Sequence, residues 1–391
     1  MKKYPTKETF ITIIFLNQNY LVQKEVITAL RTLSQLQVIA LDISSHPTIQ
    51  QAQFACKIIH EHKCRILFTI NEWGLDSEGV IHDFLLKKSI IHLNWCVDDP
   101  FFEELIHRKK FRSSPMRIDF VSDKDYLSDM KSKGYQAHFL PLGTDPSIFF
   151  PANQPCTHDV SFVGSSYLDQ VNQFSSMAST FIENILPDIA STLKNSLNSN
   201  YLNLENLLMQ KVSGYTLPPD CSISKALFIC KHIAGFLYRR EIISKLAESF
   251  ENFAVYGDNG WLQSIKDKLH KAVCYGDELR NVYNSTKINI DINRVVIRNG
   301  FTQRVFDVLA CRSFLITSAK PIIQEFFETE NDKEIVTFNT PEELVDLVNY
   351  FLNHQTQLEG IAQRGYQKVL GAHTYRHRIQ QIFRIVKTQF F

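Results

Sequence analysis

The stretch Asn299-Gly300-Phe301-Thr302-Gln303-Arg304-Val305-Phe306-Asp307 joins a glycine, a helix-capping residue, a cation and a carboxylate. Thr302 is a plausible N-cap for a helix that follows, and Gly300 allows close approach of the backbone. A helix N-terminus presents unpaired N–H groups and positive partial charge, which suits a diphosphate. Arg304 would add a bidentate clamp on phosphate oxygens and neutralise charge on a leaving group. Asp307, one turn on, would accept hydrogen bonds from ribose hydroxyls. The plain alternative is a surface i,i+3 ion pair in the disfavoured orientation, worth at most a few tenths of a kcal/mol. Val305, Phe306, Val308 and Leu309 fill the other faces, so the helix is expected to be buried. Two charges at the leading end of a buried helix favour the functional reading.

Other residues could serve the same chemistry. Gly164-Ser165-Ser166 closes an apolar run, and a Gly/Ser turn there lets backbone approach a phosphate. Arg240, at the head of a helical pattern, could reach the same group or lie on the surface. Tyr256-Gly257 also ends an apolar run; Tyr256 could stack on a nucleotide base or pack in the core. Asp98 and Asp99 follow Trp95 and precede Pro100. Asp99 reads as a helix N-cap with proline at the first helical position. Asp98 is then a candidate for binding an acceptor hydroxyl or acting as its base. Glu72, in Asn71-Glu72-Trp73, is a second candidate of that kind. His373 and His377 lie four apart with no third ligand near them in sequence. A structural helix crossing back to the first domain explains His373, Tyr375, His377 and Arg378 better than a metal site does.

These residues need a scaffold, and the apolar pattern supplies one. Phe10 to Leu16, Leu36 to Leu41, Arg65 to Ile70, Ile90 to Trp95, Met116 to Val121 and Ala137 to Leu140 read as strands. Helical patterns at Val22 to Leu33, Ile49 to His62 and Gly79 to Leu86 fall between them. Such alternation predicts a parallel, doubly wound sheet. Leu140 to Pro151, with three prolines and a glycine, reads as a connector. Strands resume at Asp159 to Gly164, Phe253 to Gly257, Lys287 to Ile292, Ser313 to Thr317 and Glu334 to Phe338. Helices are expected over Arg240 to Phe250, Thr302 to Ala310 and Pro341 to Leu352. The division is therefore 1–150 for a first α/β domain and 151–370 for a second, with 371–391 as a returning helix. About 167–238 reads as a helical insertion, with a turn at Leu217 to Asp220. Tandem open sheets bind ligands at the carboxyl ends of their strands, where the domains are expected to face across a cleft.

Composition agrees with this and narrows the partners. The length of 391 residues suits two domains, and 44% hydrophobic residues suffice for two cores. A net charge of +1 gives no basic excess, so no nucleic-acid partner is expected. The densest basic run, His107 to Arg112, reads as a solvated helix end or loop. The eight cysteines form no Cys-x-x-Cys pair and no zinc spacing, so reduced thiols and no metal are expected. No signal-like or membrane-spanning stretch is evident, which points to the cytoplasm.

Several strings, taken in order, resemble the CgeB-like (spore-maturation-type) glycosyltransferases, whose C-terminal half belongs to the group-1 glycosyltransferase set. They are Trp95-Cys-Val-Asp98-Asp99-Pro100, Asp119 to Asp123, Leu140 to Gly143, Asp159 to Ser165, and Val255-Tyr256-Gly257 with Trp261. Arg304 to Thr317 and His373 to Arg378 complete the set. The resemblance covers most of the chain from about residue 70. It implies a GT-B architecture of two Rossmann-like doubly wound domains. It also implies sugar transfer from a nucleotide-diphosphate sugar to an acceptor hydroxyl of a glycan, protein or small molecule. Retention of configuration, independence from metal and the absence of any other cofactor follow from the same likeness. Two departures stand out. Arg312 occupies a position where the family has glycine, and Asn299 and Asp307 stand where many members have paired glutamates. Asp98 and Arg304 are thus the expected catalytic residues. Gly164, Ser165, Arg240, Tyr256, Gly257, Asn299, Arg304 and Asp307 are expected to bind the sugar donor. The competing reading keeps the fold and discards catalysis, giving a nucleotide-sugar or glycan-binding protein.

Overall fold

The computed structural model describes residues 11–20, 22–102, 104, 112–177, 179–196, 204–219 and 221–390. Phe10, Asp220 and His107 to Phe111 of the basic run lie outside them. The chain divides into two compact units: Met1–Leu142 with Tyr375–Phe391, and Gly143–Thr374. The division falls inside the proline-rich connector.

The first unit is built on six parallel strands: β1 (Ile11–Asn17), β2 (Leu36–Asp42), β3 (Ile66–Ile70), β4 (Ile91–Cys96), β5 (Arg117–Val121) and β6 (Ala137–Phe139). Their order in the sheet is β2-β1-β3-β4-β5-β6. Every residue of β3, β4 and β5 is buried, as expected for parallel strands covered on both faces. Helices α1 (Gln23–Arg31), α2 (Ile49–Glu61), α3 (Val80–Lys87) and α4 (Leu127–Ser132) join them. Thr48 starts α2 with a reciprocal capping box to Gln51. The inner strands also carry charge. Arg117 donates to Asp119 and Glu72, and Asn94 donates to Asp119 at 2.9 Å. Each charged group there has a partner, as burial demands.

The second unit has strands β7 (His158–Val163), β8 (Phe253–Gly257), β9 (Leu269–Lys271), β10 (Thr286–Asp291), β11 (Phe314–Ser318) and β12 (Val336–Phe338). All pairings are parallel, in the order β12-β11-β10-β7-β8-β9. The winding reverses between β7 and β10. The carboxyl ends of these two neighbours form the crevice in which open α/β sheets bind ligands.

Helices α5 (Leu168–Met177), α6 (Ser179–Ser196), α7 (Leu204–Ser213) and α8 (Ile223–Ser249) follow β7. Here the structure corrects the sequence reading. The expected end of the insertion at 238 and the expected helix start at Arg240 fall inside α8, which runs unbroken. Ser222 caps its first turn by accepting from the Lys225 N–H, and buried residues from Ala226 to Leu246 hold it along its length. The short edge strand β9 was not expected.

The unit is completed by α9 (Asp277–Asn284), α10 (Gln303–Ala310), α11 (Pro321–Phe326), α12 (Pro341–Leu352) and α13 (Gln355–Ala372). His373 is enclosed by the rings of Phe306, Phe326 and Phe327, which gives it a packing role. The last helix, α14 (Tyr375–Phe390), packs on α1 within the first unit. Arg378, 1% exposed, donates from Nε to the carbonyls of Pro141 and Leu142. Burial lowers its pKa to about 10. No described helix is long and apolar enough to cross a membrane.

Candidate functional site

The carboxyl end of β7 turns at Gly164-Ser165-Ser166 because Asp258, just after β8, binds it. Ser165 and Ser166 hydroxyls donate to the two Asp258 oxygens at 2.5 Å, and the Ser166 N–H donates at 2.9 Å. Asp258 also accepts from the Gly260 N–H. Burial acts to raise its pKa, but these hydrogen bonds outweigh it and hold the carboxyl below its ordinary value. Gly257 is tightly confined. A Cβ there would lie 2.5 Å from the Gly164 carbonyl oxygen and 2.6 Å from Trp261 Nε1. Glycine at 257 is thus a condition for β8 to pass the turn.

Arg304 comes to this turn from the first turn of α10. Its Nη1 donates to Asp291 Oδ1 at 2.5 Å, and its guanidinium lies 5.4 Å from the Phe162 ring. Its Nη2 lies 3.2 Å from where a Gly164 Cβ would stand. Burial works against its charge, while Asp291 and Tyr283 favour it, and the net effect raises its pKa. Asp291, at the end of β10, is fully buried. It also accepts from Thr302 Oγ1 at 3.0 Å and Thr317 Oγ1 at 2.8 Å. Thr302 has the extended backbone of an N-cap, but Asp291 draws its hydroxyl away, so it makes no side-chain cap. That part of the expectation is corrected.

Arg239 provides the third element of the crevice. It is 3% exposed and donates to the carbonyls of Ser165 (2.9 Å) and Ile292 (2.6 Å). It therefore ties the end of β7 to the end of β10. Arg240, the expected residue, is exposed and lies against Phe236 on the outer face of α8. Its neighbour Arg239 is the one that faces the crevice. Tyr167 completes the group, with Arg239 Cζ 4.6 Å and Arg294 Cζ 4.8 Å from its ring centre. Its φ is +67°, a strained value for a residue with a side chain. Burial acts to raise its phenol pKa, but Arg239, Arg294 and Arg304 together lower it. A cavity lined by Tyr167, Gln170, His232, Gly235 and Arg294 opens beside them.

Three other expected residues are engaged elsewhere. Asp307 is 1% exposed and accepts from Thr144 Oγ1 at 2.7 Å, which fastens the connector to α10. Asn299 is 8% exposed and accepts from the Ile322 N–H at 2.9 Å, holding the start of α11. Tyr256 bonds to His158 Nε2 at 2.9 Å and stacks on His270 at 4.8 Å, so its ring is already occupied. All three act in holding the fold.

In the first unit, Asp98 is exposed just after β4. Asn71 Nδ2 donates to its Oδ2 at 2.8 Å. Asp99 caps the following turn by accepting from the Phe101 N–H and also accepts from Tyr126 at 2.8 Å. Glu72 is buried against Arg117, which removes it as a candidate for binding an acceptor. Among the described residues, no group of three His, Cys, Asp or Glu side chains is placed to hold a metal ion.

Residues 239–384 match a family model described as glycosyl transferase-like. This stretch is a glycosyltransferase domain. It contains Arg239, Asp258, Asp291 and Arg304. Solved structures similar to the chain extend the likeness along nearly its whole length. A glycosyltransferase from Rickettsia africae is 12% identical, with a TM-score of 0.58 over 97% of this chain and 98% of its own. A sucrose-phosphate synthase from Thermosynechococcus elongatus is 11% identical, with 0.57 over 97% and 99%. Anabaena HepE in complex with UDP and glucose is 9% identical, with 0.57 over 96% and 99%. At these identities the likeness shows the fold, that of GT-B glycosyltransferases with two Rossmann-like domains. No curated protein matches the chain.

Sequence reasoning missed Arg239, Asp258, Asp291 and Tyr167. Helical phase held the signal for the first, since Arg239 is three, four and seven residues before the apolar Ile242, Ile243 and Leu246. Asp258, before Asn-Gly, carries a turn signal.

Proposed function

We propose that the chain transfers a sugar from a nucleotide-diphosphate sugar to an acceptor hydroxyl. The observation that carries this reading is the convergence of Arg304, Arg239, Arg294 and the Gly164-Ser165-Ser166 turn at the β7/β10 reversal. In this reading the diphosphate lies against the turn and the leading end of α10. Arg304 offsets the charge that develops on the departing phosphate. Asp98 bonds the acceptor hydroxyl on the first unit. Retention of configuration and independence from metal belong to the same proposal, with arginine in the charge-neutralising role. The ordered strings around Trp95, Asp119, Leu140 and Arg304 support placing the chain in the CgeB-like branch. UDP is a reasonable first nucleotide to try, because HepE was solved with UDP and glucose. The absence of any cysteine pairing among eight thiols suits a reducing compartment such as the cytoplasm.

The test is a panel of UDP-, GDP-, ADP- and dTDP-sugars. One nucleoside diphosphate should raise the melting temperature and be released from its sugar, with or without a chelator. The anomeric proton of the product, read by NMR, reports retention. A panel in which no nucleotide binds would overturn the proposal. One observation favours the second reading, of a binding protein without turnover: Asn299 and Asp307, at the paired-acid positions, are both bonded within the protein. Stabilisation by a nucleotide sugar with no release from any of them would decide for it.

A further inference from the structure

The second unit has a cleft at the amino ends of β10 and β11, the opposite edge of the sheet from the β7/β10 crevice. Its volume is about 670 Å³, within the range of small-molecule sites. Thr286 and Lys287 at the start of β10, Arg312 and Ser313 in the turn between α10 and β11, and α13 from Gln355 to Gln363 line it. Helix α10 spans the two places. Arg304 stands in its first turn, and Arg312 follows its last residues.

The backbone at Arg312 is strained. Helix α10 ends in a Schellman arrangement, in which the Arg312 N–H donates to the Leu309 carbonyl at 3.0 Å and the Ser313 N–H to the Val308 carbonyl at 3.3 Å. This motif needs one left-handed residue, usually glycine. Here it is Arg312, with φ +54°. Its side chain is exposed and makes no hydrogen bond or ion pair among the described residues. Strain that no internal contact offsets is found where a ligand is held.

The lining decides the kind of ligand. Two cations, Lys287 and Arg312, face one carboxylate, Glu359. Gln355 Nε2 donates to Glu359 at 2.9 Å, and Lys287 pairs with Asp159 at 2.6 Å. Arg312 therefore has its planar fork open for a bidentate oxyanion. The Lys287 ammonium, with three donors, can serve a further oxygen, which favours a phosphate over a single carboxylate. Ser313, Thr356 and Gln363 make no side-chain hydrogen bonds among the described residues, so two hydroxyls and an amide are open to a ligand's own hydroxyls.

We propose that this cleft is a second small-molecule site, which binds a phosphate monoester of a short hydroxylated carbon chain through Arg312. The site does not depend on the glycosyl-transfer reading.

The experiment titrates the full chain by calorimetry with glycerol 3-phosphate, 3-phosphoglycerate, ribose 5-phosphate and inorganic phosphate, with and without UDP. At least one ester should bind the wild type at least tenfold more tightly than inorganic phosphate, and equally well with UDP present. Arg312→Gly should weaken that ester at least tenfold. Its melting temperature should not fall below that of the wild type, because glycine takes this φ without strain. Arg304→Ala should leave ester affinity unchanged. Wild type that binds no ester overturns the proposal, as does an Arg312→Gly protein that binds the ester normally. An ester displaced by UDP, or lost in Arg304→Ala, occupies the β7/β10 crevice and also overturns it. Ester binding lost in Arg312→Gly, with no nucleotide bound by the wild type, would sink the sugar-donor reading and leave this site in place.

Discussion

Arg304, its side chain 17% exposed, forms an ion pair with the fully buried Asp291 at the reversal of the second sheet, with Nη1 donating to Oδ1 at 2.5 Å. The Arg304 Nε is buried and has no hydrogen-bond partner. The carboxylate thus satisfies one part of the guanidinium, and Nη2 lies 3.2 Å from where a Gly164 Cβ would stand. An arginine that is positioned but incompletely satisfied is suited to receive an anion.

Arg239→Met should destabilise the second unit. The change leaves the carbonyls of Ser165 and Ile292 without their charged donor. Loss of two such bonds in a buried setting costs about 3 kcal/mol. Urea unfolding measures it, and Arg240→Met, on the exposed face, should lie within about 0.5 kcal/mol of wild type.

Asp258→Asn tests what holds the turn. The folded pKa of Asp258 is depressed, so its carboxylate contributes stability above the ordinary value of 3.8. That contribution is lost as pH falls through the lowered folded pKa. The melting temperature of the wild type should therefore exceed that of the variant near neutrality. The gap should begin to narrow as pH drops below about 3.8 and vanish below the lowered folded pKa. A gap that persists in strong acid would show that the charge of Asp258 is irrelevant to the turn.

In the proposed nucleotide site, Tyr167 would set an alkaline limit. Arg239, Arg294 and Arg304 lower its phenol pKa from 10 against the effect of burial. A phenolate would compete with a diphosphate for the same cations, so a bound diphosphate raises the pKa again. Affinity for UDP should accordingly fall as pH rises toward 10. Tyr167→Phe should remove that fall, as followed by calorimetry at several pH values.

The two sheets were legible in the sequence because their inner strands are uninterrupted apolar runs, as Ile66–Ile70 and Phe314–Ser318 show. The three-residue β9 carries too little pattern to be seen. Helix α8 was cut in two because its apolar residues occur all around it, which hides both its phase and its length. Gly164, Ser165 and Arg304 stand at a strand end and a helix start, which local sequence signals locate. The partners of Asp307, Asn299 and Tyr256, namely Thr144, Ile322, His158 and His270, were not legible because they are distant in sequence. Asp291 was overlooked for the same reason. Its hydroxyl and guanidinium donors converge only after β10, β11 and α10 are assembled.

The most direct test of the sugar-donor site is calorimetric titration of UDP, or of whichever nucleoside diphosphate the panel selects, into wild type and Arg304→Ala. Loss of a charge-assisted bond, about 1.5–3 kcal/mol, corresponds to a roughly ten- to hundredfold weaker affinity. The melting temperatures should show that both proteins are folded. An Arg304→Ala protein that binds the nucleotide as tightly as wild type would contradict the assignment of the diphosphate to the β7/β10 crevice.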